Sequence, residues 1–290
     1  MSVSILGETY DIETTTKLKL SNKGLTIISS EIGNLTNLKI LHLRDNELTS
    51  IPPEIGNLTN LQVLNISGNE LKSIPPEIGN LTNLQELHLD FNKLTIIPTE
   101  IENLTNLRCL YLDNNNLISV PSEIGNLINL QYLYLYVNDL TSIPIEIGNL
   151  INLKKLYLNN NKLTSIPIEI GNLTNLQELS LRKNELRSIP AEIGNLTNLK
   201  ELILLDNKLT NLPSEILKIK DKLLIDETSY DIDNLDLNCE ILIFSKLNSA
   251  LTNLPISLKE IHLNKNIKDY DIKLPFGCEV FLNDDEIYFE

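Results

Sequence analysis

From Leu38 onward, apolar positions recur on a fixed frame. Leu38 to Asn60 reads LKILHLRDNELTSIPPEIGNLTN, and the next 23 residues, Leu61 to Asn83, read LQVLNISGNELKSIPPEIGNLTN. The frame runs on without insertion through copies starting at Leu84, Leu107, Leu130, Leu153, Leu176 and Leu199, and a divergent copy precedes it from Thr15. Nine copies cover residues 15–221. A constant period over that length marks a stack of equivalent coils rather than one mixed core.

Each coil has three parts. Alternation at Leu41-His42-Leu43 predicts a short strand with both leucines facing inward. Asn46 recurs as Asn69, Asn92, Asn115, Asn138, Asn161, Asn184 and Asn207. An amide at a tight bend bonds backbone groups that the turn leaves unpaired, so this column is expected to run as a ladder. The return limb IPPEIGN sets proline ahead of a short helical turn, with Glu54 near its positive end and Gly56 near its close. Seven positions per coil are apolar, in the second copy Leu38, Leu41, Leu43, Leu48, Ile51, Ile55 and Leu58. One coil cannot cover these, but stacked neighbours can.

The pattern LxxLxLxxNxLxxIPxEIGNLxN resembles the leucine-rich repeat family, and within it the 23-residue Ras-group proteins that share the LPxEIGxLxxL limb. The resemblance implies an α/β solenoid: a leucine-rich repeat horseshoe with a concave parallel β-sheet and short helical or irregular turns on the convex side, used as a protein-binding scaffold. Three departures stand out. Lys23 takes the ladder position in the first copy, Glu102 replaces the glycine, and the last copy ends LKIKD. Two of the three fall in end copies, where capping is expected.

The flanks read as caps. Residues 1–14 are expected to form an N-terminal β-hairpin. Residues 222–290 are expected to hold two or three shorter, degenerate repeats that continue the stack, with 226–238 as an irregular join. LPISLKEIHLNKN starts at Leu254, and LPFGCEVFLND starts twenty residues on at Leu274.

Composition narrows the function. The net charge of -15 argues against a basic nucleic-acid groove. Of 39 acidic and 24 basic residues, 221–290 hold 15 and 6, so the acidity gathers at the ends. This reads as solubility and edge protection, with an acidic tail that steers a basic partner as the alternative. No apolar run reaches the 18 residues of a membrane span, and MSVSILGETYDIE shows no secretory signal. Three distant cysteines, Cys109, Cys239 and Cys278, argue against disulfides or a zinc site. An intracellular protein without cofactor, metal or membrane contact is therefore expected, and the six N-L-T sequons are expected to be unglycosylated.

In such a stack the consensus residues specify the fold, so partner information lies in the variable outward strand positions. The central row reads Lys19, His42, Asn65, His88, Tyr111, Tyr134, Tyr157, Ser180, Ile203. Tyr132 and Tyr136 flank Tyr134, with Phe91 and Cys109 nearby. Clustered aromatic side chains on a partly desolvated surface are usual binding hot spots. Arg108, Asp113, Lys154, Lys155 and Arg182 are expected to form a polar rim. The competing reading is an aromatic ladder that only stabilises the sheet.

Catalysis finds no support. His42 and His88 stand about 10 Å apart, two strands away from each other, too far to share a metal. Cys109 is read as lacking a histidine on its own or the adjacent strands' central positions, and no GxSxG or HExxH occurs. The expected function is non-catalytic binding of a protein partner on the concave face. Two alternatives stay open: a substrate-recruiting subunit of a signalling or ubiquitin-ligase complex, and self-association through the extra isoleucines Ile128, Ile145, Ile151 and Ile168.

Overall fold

The alternating leucines pair their strands at the sequence period. The computed structural model describes residues 2–5, 7–225, 229–230, 235, 239, 241–244, 254–263, 275, 277–282 and 285–287. It divides into two units, Met1–Leu156 and Tyr157–Glu290.

In the first unit, β1 (Ser2–Ile5) and β2 (Glu8–Asp11) form an antiparallel hairpin whose turn includes Gly7 at φ 78°. Val3 and Ile5 are its buried side chains. A parallel sheet follows: β3 (Lys17–Lys19), β4 (Ile40–His42), β5 (Val63–Asn65), β6 (Glu86–His88), β7 (Cys109–Tyr111) and β8 (Tyr132–Tyr134). Leu18, Leu41, Leu64, Leu87, Leu110 and Leu133 lie opposite one another in register. All seven apolar positions of the second copy are buried, six of them completely.

The return limbs are five-residue 3₁₀ helices such as Pro53–Asn57, entered from an extended Pro52 at φ -67°. Glu54 occupies the first turn, and the Leu58 N–H closes the limb on the Ile55 carbonyl at 3.1 Å. Such short limbs stack closely only where one coil presents no side chain to the next. A Cβ on Gly56 would stand 2.5 Å from the Glu77 carbonyl oxygen. Glu102, in place of that glycine, instead accepts a 2.7 Å hydrogen bond from the Asn126 amide of the following coil.

The asparagine column stitches coil to coil. Asn69 Nδ2 donates to the carbonyls of Leu43 and Ile66, each at 3.0 Å, and its Oδ1 accepts from the Leu48 N–H at 3.0 Å. Lys23 supplies no amide, and its backbone N–H donates to Asn46 Oδ1 at 2.9 Å, so the column begins one coil later. A second, exposed ladder runs along the last asparagine of each copy: Asn60, Asn83 and Asn106 donate to the carbonyls of Thr36, Thr59 and Thr82.

The residue before each ladder position is left-handed: Asn22, Asp45, Gly68, Phe91, Asn114 and Val137 in this unit. Glycine, asparagine and aspartate tolerate that backbone, whereas β-branched Val137 is strained there. Val137 is also 41% exposed, so it contributes little packing. Val137→Asn is therefore expected to raise stability by about 1 kcal/mol. An unchanged or lower thermal midpoint would refute the strain.

The second unit repeats the limb at Ile168–Asn172 and Ala191–Asn195, then extends it over nine residues at Ser214–Lys222. β9 (Lys155–Tyr157) carries the division between the units. β10 (Glu178–Ser180), β11 (Glu201–Ile203) and β12 (Leu223–Leu224) are parallel, and β12 keeps only two residues. Beyond it the expectation is of shorter repeats. β13 (Ile241–Phe244), β14 (Glu260–Leu263) and β15 (Glu279–Leu282) are parallel at a 19-residue offset, with β16 (Asp285–Ile287) antiparallel. These four form a sheet of their own. Past β12 the Leu209 N–H donates to the Ser229 carbonyl at 2.9 Å, and Leu209 and Tyr230 form an isolated parallel bridge. Tyr230 is buried, and its hydroxyl donates to the Ile243 carbonyl at 2.9 Å and accepts from the Ile243 N–H at 3.1 Å. Most of 226–238, and Leu274 itself, lie outside the described residues.

Candidate functional site

With every inward strand position taken by leucine, each three-residue strand offers its outward side chains to solvent. Strands about 4.8 Å apart set those side chains into rows. His88 stacks on Tyr111 with ring centroids 4.3 Å apart and planes 9° from parallel, and Tyr111 stacks on Tyr134 at 4.8 Å and 5°. Tyr111, Tyr132, Tyr134 and Tyr136 are all half-buried, none inside the leucine core. Stacking covers the ring faces, so what this row presents outward is ring edges and hydroxyl groups.

Burial pushes the Tyr111 phenol up to about 12, helped by the neighbouring Cys109, Tyr134 and Glu86. Its neutral form therefore contributes stability that is complete below pH 10 and is lost as pH climbs through about 12. Spectrophotometric titration of Tyr111→Phe is expected to lack one phenol that titrates near 12 in the parent chain. Loss of a phenol near 10 instead would contradict this placement.

Cys109 lies opposite Glu86 in the sheet, and burial raises its thiol above the ordinary value, with the Glu86 charge adding to this. The expectation that no histidine stands on an adjacent strand is corrected, because His88 lies on β6, beside β7. His88 Nε2 faces Glu86 Oε2 at 3.5 Å while the ring stacks on Tyr111. A raised thiol beside a carboxylate is the opposite of an activated nucleophile.

Just past the strands lies an acidic pair. Asp113 is 3% exposed, which corrects its expected place on a polar rim. Its carboxylate accepts from Asn114 Nδ2 at 2.9 Å and from the Tyr136 hydroxyl, and burial together with that bond raises the Tyr136 phenol. Asp90 holds the equivalent position one coil earlier. Burial, then the Asp113 charge, raises its carboxyl above the usual range. Among the described residues, no lysine or arginine forms an ion pair with either.

The remaining expected residues are dispersed. Phe91 lies in the left-handed turn after β6, where it is 57% exposed. Tyr136 lies two residues beyond the end of β8 rather than on it. Arg108 is exposed just ahead of β7. Tyr157 and Arg182 belong to the second unit, where the Tyr157 hydroxyl donates to Glu178 and Arg182 pairs with Asp206 at 2.8 Å. The structure thus gathers His88, Tyr111 and Tyr134, with Tyr132, Asp113 and Tyr136 beside them. Asp90 was missed, although its frame position, shared with Asp113, was readable. The isoleucines Ile128, Ile145 and Ile151 are more than half exposed. Among the described residues no cluster of three metal-binding side chains occurs, and no helix is long and apolar enough to cross a membrane.

A family model described as a leucine-rich repeat region matches residues 17–112 and 97–203, well over half of the chain. The chain belongs to the leucine-rich repeat family. This leucine-rich repeat protein is similar to one from Leptospira interrogans, at 33% identity over 92% of this chain and 72% of the other, with a TM-score of 0.64. It is also similar to the leucine-rich repeat ectodomain of a plant membrane receptor kinase from Arabidopsis thaliana, solved in complex with a Casparian strip integrity factor. That match is 32% identical over 92% of this chain, with a TM-score of 0.66, and this protein spans 39% of the receptor chain. An internalin of Listeria monocytogenes shares the fold at 22% identity, covering 97% of this chain and 91% of the other, with a TM-score of 0.68. No curated protein matches the chain.

Proposed function

We propose that this leucine-rich repeat protein is a non-catalytic interaction scaffold, binding a protein partner on the outward sheet face of its first unit. The observation that carries this reading is the in-register row His88, Tyr111 and Tyr134, held half-exposed over a core that needs none of the three. Stacking fixes the rings before any partner arrives, so little side-chain entropy remains to be lost on docking. The similarity to a receptor ectodomain solved with a bound factor is in keeping with a binding role.

Tyr134→Ala and Tyr111→Ala are each expected to weaken partner binding by about 2 kcal/mol, roughly 30-fold, without unfolding the sheet. Crosslinking capture on the parent chain, followed by titration of the captured partner on each variant, measures this. If both variants keep the same partners at the same affinity, the face is misassigned.

A further inference from the structure

On the reading that the outward face of the first unit binds a protein, the end away from the aromatic row adds a requirement of charge. We infer that the β3–β5 end takes an extended acidic segment of the partner, its carboxylates seated on Lys17, Lys19 and Arg44 beside His42 and Asn65.

Lys17 and Lys19 straddle the buried Leu18, so both side chains leave β3 on the outward face, and both are exposed. Lys19 lies opposite His42 on β4, and His42 lies opposite Asn65 on β5. Arg44, also exposed, follows two residues after His42. The positive field at this end is uncompensated. His42 holds its proton less tightly than an ordinary imidazole, first through burial and then through Lys17, Lys19, His88 and Arg44, so the charged neighbours that act on it are all basic.

The side chains here are donors in search of acceptors. Among the described residues, neither lysine ammonium has an ion-pair partner. Asp45 offsets Arg44, but through Nε alone at 2.8 Å, which leaves the two terminal guanidinium nitrogens to donate elsewhere. Asn65 adds an independent donor. Its Oδ1 accepts from the Ser67 N–H at 3.0 Å and from the Ser67 hydroxyl at 2.7 Å, and its Nδ2 has no partner among the described residues. In a chain of net charge -15 this surface is a local exception, so an acidic partner is repelled elsewhere and admitted here.

Spacing favours a run of carboxylates over one compact anion. Lys17 and Lys19 are two residues apart on one strand, about 6.6 Å, and Arg44 lies about 13 Å along the strand direction from the position opposite Lys17. One phosphate would have to draw three long side chains to a point, at the cost of their rotamer freedom. An extended peptide presents same-side residues every second position, at the same interval of about 6.6 Å. Alternate carboxylates then fall in turn over Lys17, Lys19 and Arg44, with His42 and Asn65 alongside to hydrogen-bond them.

The test uses the full-length chain and a synthetic peptide with glutamates at alternate positions, read by proton NMR of the His42 ring, which His42→Gln assigns. Bound carboxylates oppose the basic groups around His42, so its titration should move upward by about half a pH unit. By linkage the peptide then binds about threefold more tightly below that titration than above it. Lys17→Gln/Lys19→Gln should melt with the parent, weaken the peptide about fivefold and abolish the shift. Tyr134→Ala, four strands away, should leave peptide binding unchanged. A His42 titration that the peptide does not move, or moves equally in the double lysine variant, would overturn the seat. So would inorganic phosphate moving it as far at matched ionic strength, or equal binding by a peptide whose glutamates are contiguous. The partner captured on the parent chain separates the two readings. If Tyr111→Ala or Tyr134→Ala weakens it and the lysine variant does not, the acidic segment is overturned and the aromatic row stands. If the lysine variant alone weakens it, this seat stands and the row falls; indifference to all three removes both.

Discussion

Asn115→Ala is expected to lower the free energy of unfolding by about 3–5 kcal/mol. Asn115 is 7% exposed and makes four side-chain hydrogen bonds, two to the preceding coil and two within its own. Its Nδ2 donates to the carbonyls of Leu89, Leu112 and Asp113 at 3.0, 3.1 and 3.3 Å, and its Oδ1 accepts from the Leu94 N–H at 2.9 Å. The carbonyls of Leu89 and Leu112 each keep another amide donor, from Asn92 and Asn138. The Leu94 N–H keeps none. Its desolvation is then uncompensated, at about 1–3 kcal/mol, and the three lost donor bonds add the rest. Asn106→Ala removes one exposed bond, to Thr82, and serves as the control at about 0.5–1 kcal/mol. Urea unfolding of both variants decides the matter. Equal losses would mean that the buried column is no more important than the exposed one.

Leu112→Ala is expected to cost about 3–4 kcal/mol by the same measurement. Leu112 has no exposure, and its backbone N–H is committed to Tyr134 of the next coil at 2.9 Å. The backbone therefore resists moving to refill the space the side chain leaves, so lost transfer energy and residual cavity add together. Leu112→Met, of similar volume, should cost less than about 1.5 kcal/mol. If alanine and methionine cost the same, the site collapses freely and the coil is not rigidly packed. Because Leu112 and Asn115 share a coil, the double variant is expected to lose less than the sum of the two singles.

Both predictions use residues readable from the frame alone. The inward set and the asparagine column repeat at a constant period, and each copy states the same local instruction. Burial of Leu38, Leu41, Leu43, Leu48, Ile55 and Leu58 follows that instruction without exception. The binding face was legible only in outline. Tyr111 and Tyr134 were placeable because they alternate with inward leucines. The burial of Asp113 was not, because it depends on Tyr136 folding its hydroxyl back across a coil boundary. The left-handed backbone of Phe91 was not legible, because the strand's two-sided alternation has already ended there.

The repeat by itself determined the coil, its length, its inward side chains and the parallel register, since period-23 spacing leaves one way to bury a leucine row against its neighbours. Tertiary structure alone decided which varied side chains meet: the flat stack of His88, Tyr111 and Tyr134, the carboxylate pair, and the exposed asparagine ladder. The physical reason is distance along the chain. Partners there are 20 or more residues apart, and their contact depends on how each turn leaves its strand, which no local alternation of polar and apolar residues encodes.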